Sequence, residues 1–408
     1  MDRLSYPKNK INILLLENIH PDAKDFLVNA GFNVEVENKS LTEEELKERI
    51  KGVHIIGIRS KTQITKEIID SADKLMSVCA FCIGAKQIDL EYAKNKGIVV
   101  FNAPYSNTRS VVELAIGEMI MLMRSTFARS QELHNGIWYK TSDGSNEIRG
   151  KKLGIIGYGN IGKQVSVLAE SLGVDVYYYD IVEKLALGNA TKCDTMEELL
   201  KISDMVTLHV DDNPNNKNLI SEKELNIMKK DSILINLARG FVVDLDDLSK
   251  YMKNNHLRGC AVDVYPVEPI KGREEFDNPL KGVENVILTP HVGGSTKEAQ
   301  KNIAGFVSNK IIDYINNGSS FDSVNFPNIQ LPKQGGNRRF LHIHRNISGV
   351  MSEINNILSK HNLNIEGQYL KSSGEVSYLI TDIDKDYDKS VIDELKNIEK
   401  TIKFRVLY

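Results

Sequence analysis

The sequence predicts an α/β protein with two open parallel sheets and a small C-terminal domain of order βαββαβ. Short apolar runs alternate with helical stretches through most of the chain, which is typical of parallel sheets joined by helical crossovers. A glycine-rich turn directly after an apolar run first appears at residue 157, far from the N-terminus. The chain has 408 residues, which is too long for one ordinary core, so two or three domains are expected.

The first 105 residues are predicted to form one open α/β domain. Thr42 is followed three residues later by Glu45, a capping-box pattern that starts a helix. None of the strands in this part is followed by a glycine-rich phosphate-binding turn. Apolar or alternating runs predict its strands at 11–17, 33–37, 53–60, 75–81 and 97–103.

The segment 107–133 is predicted to be one long apolar helix, which we interpret as a buried connecting or interface helix. A polar loop with the only tryptophan, Trp138, follows it. A second α/β domain then begins. Its strands are predicted at 152–157, 174–180, 205–210, 232–238, 257–264 and 285–290.

The C-terminal part begins with a predicted helix over 296–317. Residues 318–337 contain glycine, serine and two prolines with little periodicity, which indicates a linker. Beyond the linker, strands and helices follow in the order βαββαβ, the pattern of a ferredoxin-like domain.

Composition excludes several classes of protein. Hydrophobic residues make up 41% and charged residues 26% of the chain, as in a soluble globular protein, and the net charge of −3 argues against nucleic-acid or membrane-surface binding. No apolar run approaches the roughly 20 residues that span a bilayer. Cys79 and Cys82 lie in an apolar run, so we interpret them as buried thiols rather than as a redox or zinc site. We expect no bound metal. The N-terminal segment does not resemble a signal peptide, so we expect the protein to be cytoplasmic.

The turn G-x-G-x-x-G at Gly157, Gly159 and Gly162 predicts a Rossmann-like dinucleotide-binding domain. It follows a strand and opens a helix, whose N-terminus would hold a pyrophosphate. Asp180 ends the next strand, where it would bind the adenosine ribose hydroxyls and repel a 2′-phosphate, so NAD is favoured over NADP. The alternative is that the glycines only make a tight turn and that Asp180 caps a strand end.

Arg239, Glu268 and His291 each lie just past an apolar strand. The carboxyl ends of parallel strands share one edge of a sheet, where ligands bind. A histidine can take a hydroxyl proton as a hydride leaves for nicotinamide, a carboxylate can fix its tautomer, and an arginine can bind a substrate carboxylate. These residue types suit the oxidation of a 2-hydroxy acid. Singly, each could be a surface ion pair, a loop carboxylate or a structural histidine.

Four motifs, GYGNIG, NLARGFVVD, AVDVYPVEP and LTPHVGGST, resemble the D-isomer-specific 2-hydroxyacid dehydrogenase family over residues 1–330. The resemblance implies that Arg239, Glu268 and His291 are catalytic, with the histidine as general acid and base. The NAD contacts that it implies are Gly157, Gly159, Asn160, Ile161, Gly162, Asp180, His209, Leu237, Ala238, Arg239, Asp263, His291, Gly293 and Gly294.

FCIGAKQIDL and FNAPYSNTRSVVELAIGE resemble those family members that oxidise D-3-phosphoglycerate to 3-phosphohydroxypyruvate, the first step of L-serine biosynthesis by the phosphorylated route. The resemblance implies that Arg59 and Lys61 bind the phosphate. Lys61 stands where relatives commonly have arginine, so a point charge replaces a bidentate contact. Without the resemblance, the lysines are interpreted as solvated surface charges. The other implied substrate residues are Ile83, Gly84, Asn107 and Lys140, the last of which is expected to reach a neighbouring subunit.

The C-terminal domain resembles an ACT domain, a module that often binds amino acids at a dimer interface. His344, Asn346 and Asn364 stand at positions that bind serine in related bacterial enzymes, which implies inhibition by L-serine. Ser348 replaces the proline that usually follows the histidine strand, which loosens the turn that presents these contacts. His342 lies two residues from His344 and hence on the same strand face, but no further ligand completes a metal site.

The predicted architecture is a discontinuous substrate-binding domain (1–107 and 296–336), an NAD-binding domain (108–295) and an ACT domain (337–408). The leading hypothesis is a serine-inhibited, NAD-dependent homotetramer that oxidises 3-phosphoglycerate. A second keeps the chemistry but changes the substrate to 2-hydroxyglutarate, glycerate or hydroxypyruvate. A third is a non-enzymatic protein that senses NADH. The basic strand end of the first domain argues against the second hypothesis, and the ACT-like tail argues against both.

Overall fold

The chain forms two compact units in a computed structural model. The second unit begins one residue before and ends four residues after the predicted NAD-binding domain (107 against 108, 299 against 295). Among the described residues, no helix combines the length and the apolar character that a bilayer crossing requires. The units are Met1–Ser106 with Gln300–Tyr408, and Asn107–Ala299. The residues that the structure describes are 6–269, 274–332, 338–384 and 386–407.

The first unit begins with a five-stranded parallel sheet of order β2-β1-β3-β4-β5, the flavodoxin-like arrangement. Its elements are β1 (Asn12–Leu15), α1 (Pro21–Asn29), β2 (Asn33–Val36), α2 (Glu43–Arg49), β3 (Ile55–Ile58), α3 (Lys66–Ser71), β4 (Ser77–Ala80), α4 (Leu90–Asn95) and β5 (Val99–Phe101). The predicted capping box is confirmed, since Thr42 and Glu45 bond each other's backbone amides at the start of α2.

The second unit contains a seven-stranded parallel sheet of order β12-β11-β10-β9-β6-β7-β8. Counted from β6, this is the order 3-2-1-4-5-6 of a Rossmann fold with one further strand, so the predicted fold class is confirmed. Its elements are α5 (Thr108–Met123), α6 (Thr126–His134), β6 (Lys152–Ile156), α7 (Asn160–Ser171), β7 (Asp175–Tyr179), β8 (Thr191–Lys192), α8 (Met196–Ile202), β9 (Met205–Leu208), α9 (Glu222–Ile227), β10 (Ile233–Asn236), α10 (Leu245–Lys253), β11 (Gly259–Val262) and β12 (Val286–Leu288).

The prediction of one continuous helix over 107–133 is wrong. The chain forms α5 and α6 instead, and Ser125 between them adopts a left-handed conformation with φ 49°. Its hydroxyl donates to the carbonyl of Gly144 over 3.1 Å. The segment around Ser125 contains neither glycine nor proline, so the break has no local signal, and hydrogen bonds from Ser145 and Asn146 to Arg124 and Met123 also join it to the loop that follows α6.

After the second sheet, α11 (Lys297–Asn317) returns the chain to the first unit. Ile303, Val307 and Ile311 of this helix belong to the same buried cluster as the first sheet. The ring of Tyr314 meets that of Phe101 edge-on, with 5.9 Å between centroids.

The tail forms a four-stranded antiparallel sheet of order β14-β15-β13-β16. Its two helices pack on one face around Phe340, Leu358 and Leu395. Residues of the other face, including Leu341 and Tyr378, are buried in the cluster shared with the first sheet and α11. The elements are β13 (Arg338–Arg345), α12 (Val350–Lys360), β14 (Ile365–Ser373), β15 (Val376–Ile383), α13 (Lys389–Lys396) and β16 (Thr401–Leu407).

Candidate active site

The glycine turn between β6 and α7 packs against neighbouring backbone at Gly157 and Gly162 and leaves no room there for a side chain. Gly157 has φ 92°, and a Cβ there would lie 2.6 Å from the carbonyl oxygen of His209. A Cβ at Gly162 would overlap the carbonyl of Gly157. Gly159 precedes α7, and no atom lies within 4 Å of where its Cβ would be. The N-terminus of α7, which Asn160 begins, is therefore open to a phosphate group.

Asp180 is held beside this turn at the end of β7. One carboxylate oxygen accepts from the Tyr158 amide over 2.8 Å, and the other accepts from the Val182 amide over 2.9 Å. Each oxygen keeps a lone pair for a ribose hydroxyl. The donor and acceptor set at this end of the sheet therefore fits an adenine dinucleotide.

His209 follows β9 and contacts the glycine turn through its backbone. Its Nε2 lies 3.0 Å from the hydroxyl of Thr207. Burial lowers the pKa of His209 to about 3. This histidine is therefore neutral at physiological pH and can line a cofactor site without adding charge.

The loop after β10 presents Arg239. The fully buried Asn236 fixes this loop, because its side-chain oxygen accepts from the Ala238 amide and its amide group donates to the Arg239 carbonyl. Arg239 is half-buried and also donates to the carbonyl of Ala238 over 2.8 Å. A Cβ at Gly240 would overlap the backbone of Tyr265, so this loop packs directly on the one that follows β11.

His291 and Glu268 form a hydrogen-bonded pair. Nδ1 of His291 lies 2.8 Å from Oε2 of Glu268, and Oε1 of Glu268 accepts from the Tyr265 amide. Because an ionised carboxylate only accepts, Nδ1 is assigned as the protonated nitrogen and Nε2 is left as the acceptor in the neutral ring. The His291 side chain is 54% exposed, so substrate can reach it.

Asp263 holds the backbone of the loop that carries His291. Its carboxylate accepts from the Thr289 hydroxyl and from the amides of Val292 and Gly293 over 2.6–2.8 Å. Its carbonyl accepts from the His291 amide. His291 has φ 52°, a conformation that needs such support, and Asp263 is only 1% exposed.

Sequence analysis did not identify Glu118 on α5 as part of this region. Among the described residues its carboxylate has no hydrogen-bond partner, and it is 1% exposed. Burial and the nearby charge of Asp263 raise the pKa of Glu118 to about 8. Glu113 on the same helix has Arg109 four residues before it, whereas Glu118 has no cation one turn away, and that was the signal that could have found it.

In the first unit, the structure brings Arg59, Ile83 and Gly84 to the same edge of the sheet. Arg59 directly follows β3, whereas Ile83 and Gly84 follow the adjacent β4. The side-chain amide of Gln87 donates to the Arg59 carbonyl over 2.6 Å and lies 3.5 Å from the Gly84 carbonyl. Lys61 is exposed.

The two remaining predicted substrate residues belong to the second unit. Asn107 precedes α5, and its side chain packs against Gly294. Lys140 follows α6 and is exposed.

Two of the predicted effector residues lie at one end of the tail sheet. His344 and Arg345 are the last two residues of β13. His344 is 2% exposed, and Nδ1 of its ring donates to the Arg345 carbonyl. Burial lowers the pKa of His344. Asn346 is exposed and donates to the Gly374 carbonyl over 3.0 Å. His342 is buried and bonds Thr401, and its ring meets that of His344 edge-on, with 5.5 Å between centroids.

The third effector residue, Asn364, lies at the opposite end. The strands β13 and β14 both pair antiparallel with β15, so they run in the same direction. Asn364 precedes β14, whereas His344 and Asn346 lie at the end of β13. One copy of the chain therefore does not bring the three residues together.

Comparisons with known proteins agree with this geometry. The family "D-isomer specific 2-hydroxyacid dehydrogenase, NAD binding domain" matches residues 116–293, and an "AHAS small subunit-like ACT domain" matches residues 340–403. D-3-phosphoglycerate dehydrogenase of Haemophilus influenzae is 50% identical over 408 residues, and that of Escherichia coli K12 is 47% identical over 411 residues, each with all of both chains covered. The Dictyostelium discoideum protein of that name is 48% identical over 99% of both chains.

Solved structures match about three quarters of the chain. A D-lactate dehydrogenase of Aquifex aeolicus complexed with NAD and lactic acid is 25% identical, with a TM-score of 0.64, 74% of this chain covered and 95% of that chain. A D-2-hydroxyisocaproate dehydrogenase shares the fold at 23% identity, with a TM-score of 0.71, 78% of this chain covered and 100% of that chain. Residues 116–293 are an NAD-binding domain. The chain thus belongs to the D-3-phosphoglycerate dehydrogenase family, a branch of the D-isomer specific 2-hydroxyacid dehydrogenases.

Proposed function

We propose that the protein oxidises D-3-phosphoglycerate to 3-phosphohydroxypyruvate with NAD, and that L-serine inhibits it. The observation that carries the catalytic part is the His291–Glu268 pair, joined over 2.8 Å in an NAD-binding domain of this family. The close similarity over the whole chain to enzymes named for this substrate supports its identity.

His291 acts as the general base in the oxidation. Its Nδ1 is occupied by Glu268, so Nε2 takes the proton of the substrate hydroxyl. The glycine turn and Asp180 would hold NAD, which would supply the acceptor for the hydride. Glu268 then stabilises the imidazolium through the same hydrogen bond. In the reverse direction the protonated histidine is the general acid.

Arg239 binds the carboxylate or the reacting oxygen of the substrate. Its guanidinium is planar and permanently charged, and its loop is fixed by Asn236. In the first unit, Arg59 and Lys61 bind the phosphate group together with the amides of Ile83 and Gly84. Asn107 and Lys140 complete the proposed substrate set. We expect that Lys140 acts in the site of a neighbouring subunit.

The effector site is proposed to form between two copies of the chain. Asn364 and the pair His344 and Asn346 lie at opposite ends of parallel strands. Two tail sheets placed side by side in opposite directions would bring Asn364 of one copy to His344 of the other.

We infer a homo-oligomer, with a homotetramer as the expected state. All four cysteines are free thiols, which fits the cytoplasm.

A steady-state assay tests the proposed reaction. NADH oxidation is followed with 3-phosphohydroxypyruvate and with hydroxypyruvate, which differs only by lacking the phosphate, with and without L-serine. We expect kcat/KM to be at least ~100-fold higher for the phosphorylated substrate, because a lost pair of charged contacts costs about 3 kcal/mol or more. Equal or better turnover of hydroxypyruvate would overturn the substrate assignment.

A further inference from the structure

Both carboxylate oxygens of the buried Glu17 accept hydrogen bonds from the turn that carries Arg59 and Lys61. Glu17 lies two residues past β1 and is 7% exposed. One carboxylate oxygen accepts from the Lys61 amide over 3.0 Å, and the other accepts from the Thr62 amide over 2.8 Å. Hydrogen bonds to a charged acceptor are about twice as strong as neutral ones, so this contact fixes two successive peptide groups.

The backbone of Glu17 is itself constrained to make this contact. Its φ is 61°, in the left-handed region that residues other than glycine rarely adopt. Its amide donates to the Lys39 carbonyl over 3.2 Å, and the amide of the preceding Leu16 donates to the Gly57 carbonyl over 2.8 Å. Such a conformation persists only where the surroundings determine it, and here they direct the carboxylate to the turn.

The turn is held from its other side by Gln87. The Gln87 amide group donates to the Arg59 carbonyl over 2.6 Å. The backbone from Arg59 to Thr62 is thus bound at one end by Gln87 and at the other by Glu17. Thr62 is itself 1% exposed, so the turn cannot shift outward at this end without moving a buried residue.

We propose that Glu17 is a positioning residue for the substrate phosphate: its carboxylate fixes the turn from which Arg59 and Lys61 reach the phosphate. This inference rests on the phosphate-binding role proposed for that turn. Lys61 has a long flexible side chain, so only its backbone can be fixed in advance, and Glu17 fixes it. Glu17 touches no substrate atom in this proposal and acts through the turn alone.

The sign of the expected effect separates positioning from electrostatics. A carboxylate near a phosphate site repels the phosphate, so a purely electrostatic role predicts that removing the charge improves phosphate binding. A positioning role predicts the opposite. In Glu17→Gln, one acceptor oxygen becomes an amide group that faces a backbone N–H, so one of the two contacts to Lys61 and Thr62 is lost.

The test compares 3-phosphohydroxypyruvate with hydroxypyruvate in Glu17→Gln. We expect KM for the phosphorylated substrate to rise ~10-fold while kcat changes less than ~3-fold, because binding common to ground and transition states is lost. We expect kcat/KM for hydroxypyruvate to stay within ~2-fold of wild type, since that substrate does not use the turn. Glu35→Gln is the matched control, because Glu35 is exposed and pairs only at the surface with Arg49.

Two further variants keep the test decisive. Glu17→Asp retains the charge but is too short to reach both amides, so positioning predicts a raised KM and electrostatics predicts the wild-type KM. The double variant Glu17→Gln/Lys61→Ala should be less impaired than the product of the single effects, because the two residues act as a unit. An unchanged or lower KM in Glu17→Gln, or equal losses with both substrates, would overturn the inference. Wild-type protein that does not prefer the phosphorylated substrate would instead refute the proposed function.

Discussion

The second unit brings its predicted catalytic residues together within one chain, whereas the tail does not bring its predicted effector residues together. His291 and Glu268 are 2.8 Å apart, and the loop of Arg239 packs on the loop that leads to Glu268. In the tail, Asn364 lies at the opposite end of the sheet from His344.

The difference follows from which end of a strand each residue occupies: the catalytic residues all follow strands, whereas Asn364 precedes one. In a parallel sheet with helical crossovers, all strands end at the same edge, so residues far apart in sequence meet there. In the βαββαβ tail, the end of one strand and the start of the next parallel strand lie at opposite edges. In the effector site that we propose, a second copy of the chain would complete the set. We therefore expect catalytic variants to act within a chain and effector variants to act across chains.

The largest effect is expected from His291→Ala. Loss of the general acid and base should lower kcat by ~10²–10⁴-fold. The dissociation constant for NADH, measured by fluorescence titration, should change less than ~2-fold, because only proton transfer is lost. His134→Ala, at an exposed helix end, is the control. Turnover close to that of wild type would remove His291 from the role of acid and base.

The next largest effect is expected from Asn364→Ala on inhibition by L-serine. Loss of a hydrogen bond to a charged ligand group should raise the half-inhibitory serine concentration ~10–100-fold. The rate without serine should stay as in wild type, since Asn364 is far from the catalytic loops in sequence and lies in the other compact unit. Asn356→Ala, on the exposed side of α12, is the control. Unaltered inhibition would show that Asn364 does not bind the effector.

A smaller effect is expected from Asp180→Asn on cofactor choice. The amide keeps an oxygen for the Tyr158 or Val182 backbone but removes the charge that repels a 2′-phosphate. We expect the ratio of kcat/KM for NADH to that for NADPH to fall ~10-fold, the effect of about 1.4 kcal/mol. A ratio equal to that of wild type would place the selectivity elsewhere.

The smallest effect is expected from Glu118→Gln, and it concerns the pH dependence of the free energy of unfolding. Burial and Asp263 raise the pKa of Glu118 from 4.5 to about 8. Between these values the folded state keeps a proton that the unfolded state has lost, so the free energy of unfolding falls as pH rises, by at most about 1.4 kcal/mol per pH unit. Glutamine has no proton to lose.

The difference in melting temperature between Glu118→Gln and wild type should therefore increase by a few degrees from pH 5 to pH 8 and stay constant above pH 8. Glu113→Gln, in an exposed ion pair on the same helix, is the control. A difference between Glu118→Gln and wild type that is the same at every pH would show that Glu118 does not titrate in this window.

Sequence patterns predicted the features that depend on periodicity and strand order. Apolar runs located the strands of both parallel sheets except the two-residue β8 (Thr191–Lys192), which contains no apolar residue, and the glycine turn with Asp180 indicated where a cofactor would bind on the second sheet. The order βαββαβ implies that strands joined by one helix run in the same direction, but the opposite placement of Asn364 and His344 was not inferred from it.

Features that depend on contacts distant in sequence were not predicted. The break at Ser125 lies where the chain is hydrogen-bonded to residues 144–146, and the role of Asn236 depends on the path of the loop after β10. Glu17 and Glu118 each occupy a position where the local pattern predicts only the end of a strand or the face of a helix. Their importance depends on burial, which a single sequence does not reveal.

Complementation between chains tests the contrast most directly. Chains with Asn346→Ala and chains with Asn364→Ala are assayed for inhibition by L-serine, first separately and then after co-expression. Chains with His291→Ala and chains with Glu268→Gln are assayed for turnover in the same two ways. We expect mixed oligomers of the effector variants to regain inhibition by L-serine, because some of their sites combine two intact contributions. The catalytic mixture should show only the sum of its two residual activities, because both residues of the 2.8 Å pair belong to one chain. Restored turnover in the catalytic mixture, or no restored inhibition in the effector mixture, would contradict the account.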